Sequence, residues 1–175
     1  MPGKAIGIAM NVGYPGSFAR NADCIIVNRP IKSTDDAVNG IVPFGGAVVL
    51  NTDNTYSKFG LNITGTLAAF AGFAVREVKQ TSDYYNPAGA YKPGESADVI
   101  ERGAVCVVCK EGTPTAGGKV YICTVAGSTL AVGDLSANST SSGATLIELA
   151  NCRWTTGVID ANLVAELTIM ARNNP

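Results

Sequence analysis

The stretch Lys119-Val-Tyr-Ile-Cys-Thr-Val125 is the clearest strand pattern in the sequence, because β-branched and aromatic side chains dominate it. Residues 114–118, which contain Pro and two Gly, precede it as a turn. About ten short apolar runs occur in the whole chain, separated by Gly, Asn, Asp and Pro. This spacing is typical of all-β sandwiches and barrels. Strands do not alternate with long amphipathic helices, which argues against a parallel α/β fold.

The remaining runs lie outward from this stretch in both directions. We predict strands within residues 24–27, 41–50 (with a kink at 45–46), 61–63, 74–78, 99–100, 104–109, 129–132, 144–149, 152–154 and 163–169. Residues 82–96 are expected to form a long loop, and the composition of 66–71 also permits a helix. We therefore predict an all-β fold, an antiparallel β-barrel or a jelly-roll-like sandwich. Residues 23–175 would form a single β domain, preceded by an extended N-terminal arm, residues 1–22.

The predicted arm combines breakers of regular structure with apolar side chains. Gly and Pro interrupt every candidate helix, while most apolar residues fall on even positions, as expected for an extended segment with one apolar side. A disordered tail would be more polar. We infer that the arm packs on another surface, and its candidate contact residues are Ile8, Met10, Tyr14, Phe18 and Arg20.

The composition indicates a protein whose apolar surface is buried against a partner subunit. Charged residues make up 15% of the chain, against about 25% in ordinary soluble domains. No stretch has the roughly 20 apolar residues that a membrane-spanning helix needs, so the apolar excess points to a subunit interface. With a net charge of −1 and no cluster of Lys and Arg, direct binding to nucleic acid is not expected.

Few residues are available for catalysis or for metal binding. The chain has no His, which excludes Ser-His-Asp and Cys-His nucleophiles and His-ligated metals. Cys106 and Cys109 have CxxC spacing, but in a strand they point to opposite faces and cannot share a ligand. With no signal peptide at the start of the sequence, we expect the five cysteines to be free thiols in a reducing cytoplasm. We predict no cofactor, no metal and no enzymatic activity.

Three of the six tyrosines, Tyr84, Tyr85 and Tyr91, lie in the predicted loop at 82–96. Exposed tyrosines provide large contact area at low entropy cost and are enriched at protein interfaces. The alternative is that their rings close one end of the β fold as a small local core. The sequence leaves both interpretations open.

Four segments in this order give the chain a resemblance to a known family. They are Ile41-Val-Pro-Phe-Gly-Gly-Ala-Val-Val-Leu50, Ala71-Gly-Phe-Ala-Val-Arg-Glu-Val78, Tyr91-Lys-Pro-Gly-Glu-Ser-Ala-Asp-Val-Ile-Glu-Arg-Gly103, and the pattern Ala150…Trp154…Leu163-Val-Ala-Glu-Leu-Thr-Ile169. Over residues 20–170 the chain resembles the structural cement, or head decoration, proteins of tailed-bacteriophage capsids. The order and spacing of the segments carry the resemblance.

The resemblance implies a non-catalytic protein on the outer surface of a phage capsid. Such a protein, made in the host cytoplasm, would clamp neighbouring major capsid subunits as a homodimer or homotrimer, without contacting nucleic acid or membrane. One alternative is another virion module, such as a tail or receptor-binding β-domain. A second alternative is a small enzyme or metal-binding domain built on the cysteines.

Overall fold

A computed structural model describes residues 12–61, 69–76 and 89–171. The described residues form eleven strands, and β5, β7 and β11 are buried along most of their length, as expected for strands covered on both faces. The strands are β1 (Phe18–Pro30), β2 (Val42–Pro43), β3 (Ala47–Leu50), β4 (Tyr56–Lys58), β5 (Phe70–Ala74), β6 (Ala90–Tyr91), β7 (Ser96–Glu111), β8 (Lys119–Val125), β9 (Leu135–Ser136), β10 (Thr145–Ile159) and β11 (Val164–Ile169). Within these ranges no helix is both long and apolar enough to cross a membrane.

Five of the strands close into a barrel. β7 pairs with β11, β11 with β10, β10 with β8, β8 with β9, and β9 returns to β7 through a short parallel ladder. The barrel encloses the larger apolar cluster, in which Trp154, Leu149 and Leu167 are almost completely buried. The prediction of an all-β barrel is confirmed.

β7 is the central strand because it joins the barrel to strands β5, β3 and β4 of the same sheet. Its second half pairs with β11, while Val99 and Ile100 in its first half pair with β5, which continues through β3 to β4. β1 runs along the opposite side of β7 and shifts register beside Gly103. Gly103 has a φ of +118°, and a Cβ there would lie 2.8 Å from the carbonyl oxygen of Asp23. The glycine therefore permits a bulge within one strand, where the sequence suggested two separate strands.

A second, smaller core lies beside the first half of β7. Tyr56, Tyr91, Val48 and Val99 are fully buried in it. The hydroxyl of Tyr56 donates a hydrogen bond of 3.0 Å to Oε1 of Glu101, and burial is the largest cause of a raised pKa of Tyr56. A buried carboxylate is therefore held by a buried phenol, as expected for polar groups removed from water.

Several boundaries differ from the sequence-based predictions. Residues 144–149 and 152–154 belong to a single strand, β10, and residues 129–132 form a loop instead of a strand. β6 lies inside the predicted 82–96 loop, and β9 was not predicted, because two-residue strands carry no periodic pattern. The predicted kink at 45–46 separates β2 from β3. In the segment 66–71, whose composition also permitted a helix, residues 70–71 belong to β5 and residues 66–68 lie outside the described residues. Residues 62–63 of the predicted strand at 61–63 also lie outside them.

Candidate protein-interaction surface

The N-terminal segment is bound to the rest of the chain from residue 12 onward. The amide of Gly16 donates to the carbonyl oxygen of Cys106 at 2.8 Å, and the amide of Arg76 donates to the carbonyl oxygen of Gly16 at 2.8 Å. The amide of Val12 donates to Oδ2 of Asp160 at 3.2 Å. Residues 18–22, assigned to the arm on the sequence, belong to β1 and pair with β7 from Phe18. The described part of the arm is therefore a fixed element of the fold.

Gly16 lies where β7 and the end of β5 approach each other. Its φ is +81°, and an added Cβ would lie 2.8 Å from the carbonyl oxygen of Ala74, 2.8 Å from the amide nitrogen of Arg76 and 2.9 Å from that of Gly45. All three are backbone atoms, so no side-chain rotation relieves the contact. Only glycine fits this close approach of backbone segments without displacing them.

We expect Gly16→Ala to lower the free energy of unfolding by about 2–4 kcal/mol, through left-handed strain and backbone overpacking together. Gly117→Ala is the matched control, because Gly117 has a φ of +75° but no atom within 4 Å of an added Cβ. In the control, the free energy of unfolding should fall only by the strain energy of the left-handed conformation, about 1–2 kcal/mol. Urea unfolding followed by circular dichroism measures both variants. Equal losses would show that the close approach at Gly16 is unimportant.

This anchored segment presents two aromatic side chains to solvent. The side chain of Tyr14 is 61% exposed and that of Phe18 is 44% exposed. The guanidinium of Arg76 lies 4.8 Å from the centre of the Tyr14 ring, in cation–π contact. We call Tyr14 and Phe18 the N-terminal surface. Exposed aromatic rings on a fixed backbone lose little entropy on binding, which suits a protein contact.

Arg20 is occupied by a contact within the chain. Its Nε donates to Oε1 of Glu166 at 2.7 Å, and the side chain of Arg20 remains 65% exposed while that of Glu166 is 10% exposed. The hydrogen bond to Glu166 raises the pKa of the Arg20 guanidinium above its ordinary value. An exposed ion pair of this type adds little stability, so the outer part of the guanidinium is available to a partner.

The other predicted contact residues divide into two groups. Tyr91 is fully buried in the second core, and its hydroxyl donates to the carbonyl oxygen of Val75 at 2.8 Å. The structure therefore corrects its assignment as an interface residue, because the ring closes a local core and has no surface for a partner. Ile8, Met10, Tyr84 and Tyr85 lie outside the described residues.

Four of the five cysteines are buried side chains of the strands, and Cys24 is partly buried. Cys109 faces the barrel core, whereas Cys106 lies on the opposite face, with its Sγ 3.9 Å from the carbonyl oxygen of Val12. Burial raises the pKa of all five thiols, and that of Cys152 reaches about 12. Thiols with raised pKa values are poor nucleophiles at neutral pH. No cluster of three or more potential metal ligands occurs among residues 12–61, 69–76 and 89–171.

A groove beside the N-terminal surface was not anticipated from the sequence. It has a volume of about 460 Å³ and is lined mainly by apolar side chains and glycines, together with Lys58, Arg76, Lys110 and Asp134. The three cationic residues come from β4, from the end of β5 and from the end of β7. Their separation in the chain leaves no local pattern, so only the tertiary structure brings them together.

The family model and the solved structure that match this chain both come from the capsid of phage XM1. Residues 3–169 match the family model described as XM1 gp53 minor capsid protein. Among solved structures, one chain from "The capsid of Myoviridae Phage XM1" superposes with a TM-score of 0.67 at 19% sequence identity, covering 97% of each chain. At this level of identity the structural match establishes a shared fold. No curated protein sequence matches significantly.

Proposed function

Because this chain belongs to the XM1 gp53 minor capsid protein family, we propose that it is a cement protein that binds the outer surface of a phage capsid and joins neighbouring major capsid subunits. Family membership itself makes the chain a capsid-associated structural protein of the virion. The cement role, the outer location and self-association as a dimer or trimer are the proposed refinements. Synthesis in the host cytoplasm before assembly completes this proposal.

The observation that carries the proposal is the N-terminal surface. Tyr14 and Phe18 expose large rings on a fixed backbone: Gly16 and Ser17, which lie between them, hydrogen-bond to Cys106 of β7, and Phe18 itself pairs with β7. Aromatic residues of this kind contribute disproportionately to protein–protein binding. Each bound copy would cover only modest apolar area, but the contact would repeat many times over a shell.

A non-enzymatic role is consistent with the chemistry of the described residues. The thiols have raised pKa values through burial, and the chain has no His to activate a nucleophile. The buried carboxylate of Glu101 lies in the second core, with Tyr56 as a hydrogen-bond donor. Stabilisation by contact area alone requires none of these groups to react.

We expect purified wild-type protein to bind capsids that lack it, and Tyr14→Ala with Phe18→Ala to bind them at least about tenfold more weakly, as for interface hot spots. Val38→Ala is the matched control, because Val38 is an apolar residue, 76% exposed in a turn, that belongs neither to the N-terminal surface nor to the groove lining. Co-sedimentation with capsids measures occupancy, and circular dichroism verifies folding.

The outcomes separate the parts of the proposal. Failure of the wild-type protein to bind capsids contradicts the cement role. Binding of the double variant with wild-type affinity shows instead that the N-terminal surface is not the contact. Removal of residues 2–11 tests Ile8 and Met10 in the same assay, because the described contacts from Val12 onward are retained. A Tyr84→Ala, Tyr85→Ala variant tests that pair in the same way.

A further inference from the structure

We propose that the groove beside the N-terminal surface binds an extended, acidic segment of a capsid protein, one that carries carboxylates next to apolar side chains. This inference rests on the cement role proposed above and specifies the chemistry of the partner. A volume of about 460 Å³ accommodates a few side chains of a peptide.

The first argument is the uncompensated charge of the groove. Within the described part of the chain, Lys58, Arg76 and Lys110 form no ion pair, and Asp134 is the only carboxylate in the lining. Oδ2 of Asp134 accepts a hydrogen bond of 2.9 Å from the amide of Ala131, so this carboxylate is held by its own turn. Three cations and one anion give the described lining residues of the groove a formal charge of +3 − 1 = +2.

The same residues stand out from the other cations of the protein. Five described basic side chains are paired with carboxylates: Arg20, Lys32, Arg102, Lys119 and Arg153. Five described basic side chains, Arg29, Lys58, Arg76, Lys92 and Lys110, have no such pair, and three of these five line the groove. In a chain with few charges and a net charge of −1, this concentration attracts an anionic partner to the groove.

The second argument is that Arg76 is held ready for a carboxylate. Its guanidinium lies 4.8 Å from the centre of the Tyr14 ring and 6.0 Å from the centre of the Phe44 ring. Contacts with two rings restrict the side chain before a partner arrives, which lowers the entropic cost of binding. A planar guanidinium is also suited to bidentate hydrogen bonding with a carboxylate.

The third argument is the apolar character of the remaining lining. Pro15, Phe44, Phe59, Val132 and Leu135 contribute to it, which favours a peptide with apolar side chains over a nucleic acid backbone. Binding to nucleic acid requires a longer series of cations that neutralises successive phosphates. Since Arg76 contacts Tyr14, the groove is continuous with the N-terminal surface, and one partner segment can occupy both.

The decisive experiment is zero-length carbodiimide cross-linking of the full-length protein on capsids, followed by mass spectrometry. We expect amide bonds between the amine of Lys58 or Lys110 and Asp or Glu residues of a capsid protein. Lys58→Arg with Lys110→Arg is the matched variant, since arginine keeps the charge but forms no such amide. It should lose these cross-links, and its capsid occupancy is measured in parallel so that cross-links are compared per bound copy. Lys92 serves as the comparison lysine, because it lies outside the groove.

Charge reversal tests the same groove without cross-linking. We expect Lys58→Glu with Lys110→Glu to reduce capsid occupancy at least tenfold, and Lys92→Glu to change it less than twofold. The difference should shrink as salt is raised, since salt screens exposed charges. Lys58→Gln with Lys110→Gln, which only neutralises the groove, should fall between the two. Circular dichroism verifies that all variants are folded.

Three results overturn the inference while leaving the cement role intact. These are capsid binding without cross-links at Lys58 and Lys110, wild-type occupancy by the charge-reversed variant, and binding of a single-stranded oligonucleotide that charge reversal abolishes without affecting capsid occupancy. Failure of wild-type protein to bind capsids is a different outcome, because it removes the cement role and the proposed partner together.

Discussion

Gly72→Ala is expected to lower the free energy of unfolding by about 4 kcal/mol or more, beyond ordinary overpacking, because the new methyl group meets backbone atoms. Gly72 lies in β5 opposite Val48 of β3, and β5 pairs with β7 on its other side. An added Cβ would lie 2.0 Å from the carbonyl oxygen of Ile100 and 2.9 Å from its carbonyl carbon. β5 must therefore separate from β7, which also disturbs the buried Phe73.

Gly157→Ala is the matched control for this variant. Gly157 is also a strand glycine, in β10, but the nearest atoms to an added Cβ are 3.6 Å away, an ordinary contact distance. Its unfolding free energy should change by less than about 1 kcal/mol, since alanine also restricts the unfolded chain. Urea denaturation gives both values. Unfolding of the two variants at the same urea concentration would contradict the predicted clash.

The second large effect is expected for Trp154→Ala, with a loss of about 3–5 kcal/mol in unfolding free energy, as for other large-to-small changes in cores. Trp154 is 1% exposed, lies in β10 opposite Leu167 of β11, and is among the largest fully buried side chains of the described residues. Alanine would leave a cavity at the centre of the barrel. Trp154→Phe keeps an aromatic ring, and its free energy of unfolding should fall clearly less than that of Trp154→Ala.

Trp154 is the only tryptophan of the chain, so the fluorescence of the wild-type protein reports on the barrel core alone. The alanine and phenylalanine variants lack this signal and must be followed by circular dichroism. A loss below about 1 kcal/mol for Trp154→Ala would mean that the ring does not occupy the packed interior of the barrel. Because Trp154 belongs neither to the N-terminal surface nor to the groove lining, this variant also helps to separate loss of stability from loss of capsid binding.

Stability and the proposed capsid binding depend largely on different parts of this molecule. The barrel and the second core use closely packed side chains and glycine positions that admit no Cβ. The N-terminal surface and the groove use exposed rings and unpaired cations. Stabilising substitutions in the cores are therefore expected to leave capsid binding unchanged.

Local patterns were sufficient where a strand is long, continuous and bounded by turn residues. The predicted strand at 119–125 matches β8, and the predicted strand at 163–169 matches β11 within one residue. Local patterns were insufficient where a glycine lies inside a strand, as at Gly103, because in a sequence a glycine can mark either a bulge or the end of a strand. For the site, the interface roles of Tyr14 and Phe18 stay predictions, and the burial of Tyr91 agrees with the alternative that this ring closes a local core.

By itself, the sequence determined the all-β class and the positions of most strands, since these depend on residue type and on the two-residue period of a strand. It also determined the excess of apolar residues from which we predicted an interface. Only the tertiary structure decided that β7 serves two cores, that Tyr91 is buried, and that Lys58, Arg76 and Lys110 line one groove. The physical reason is that burial and charge clustering depend on pairings between residues far apart in the chain, which leave no periodic signal in the sequence.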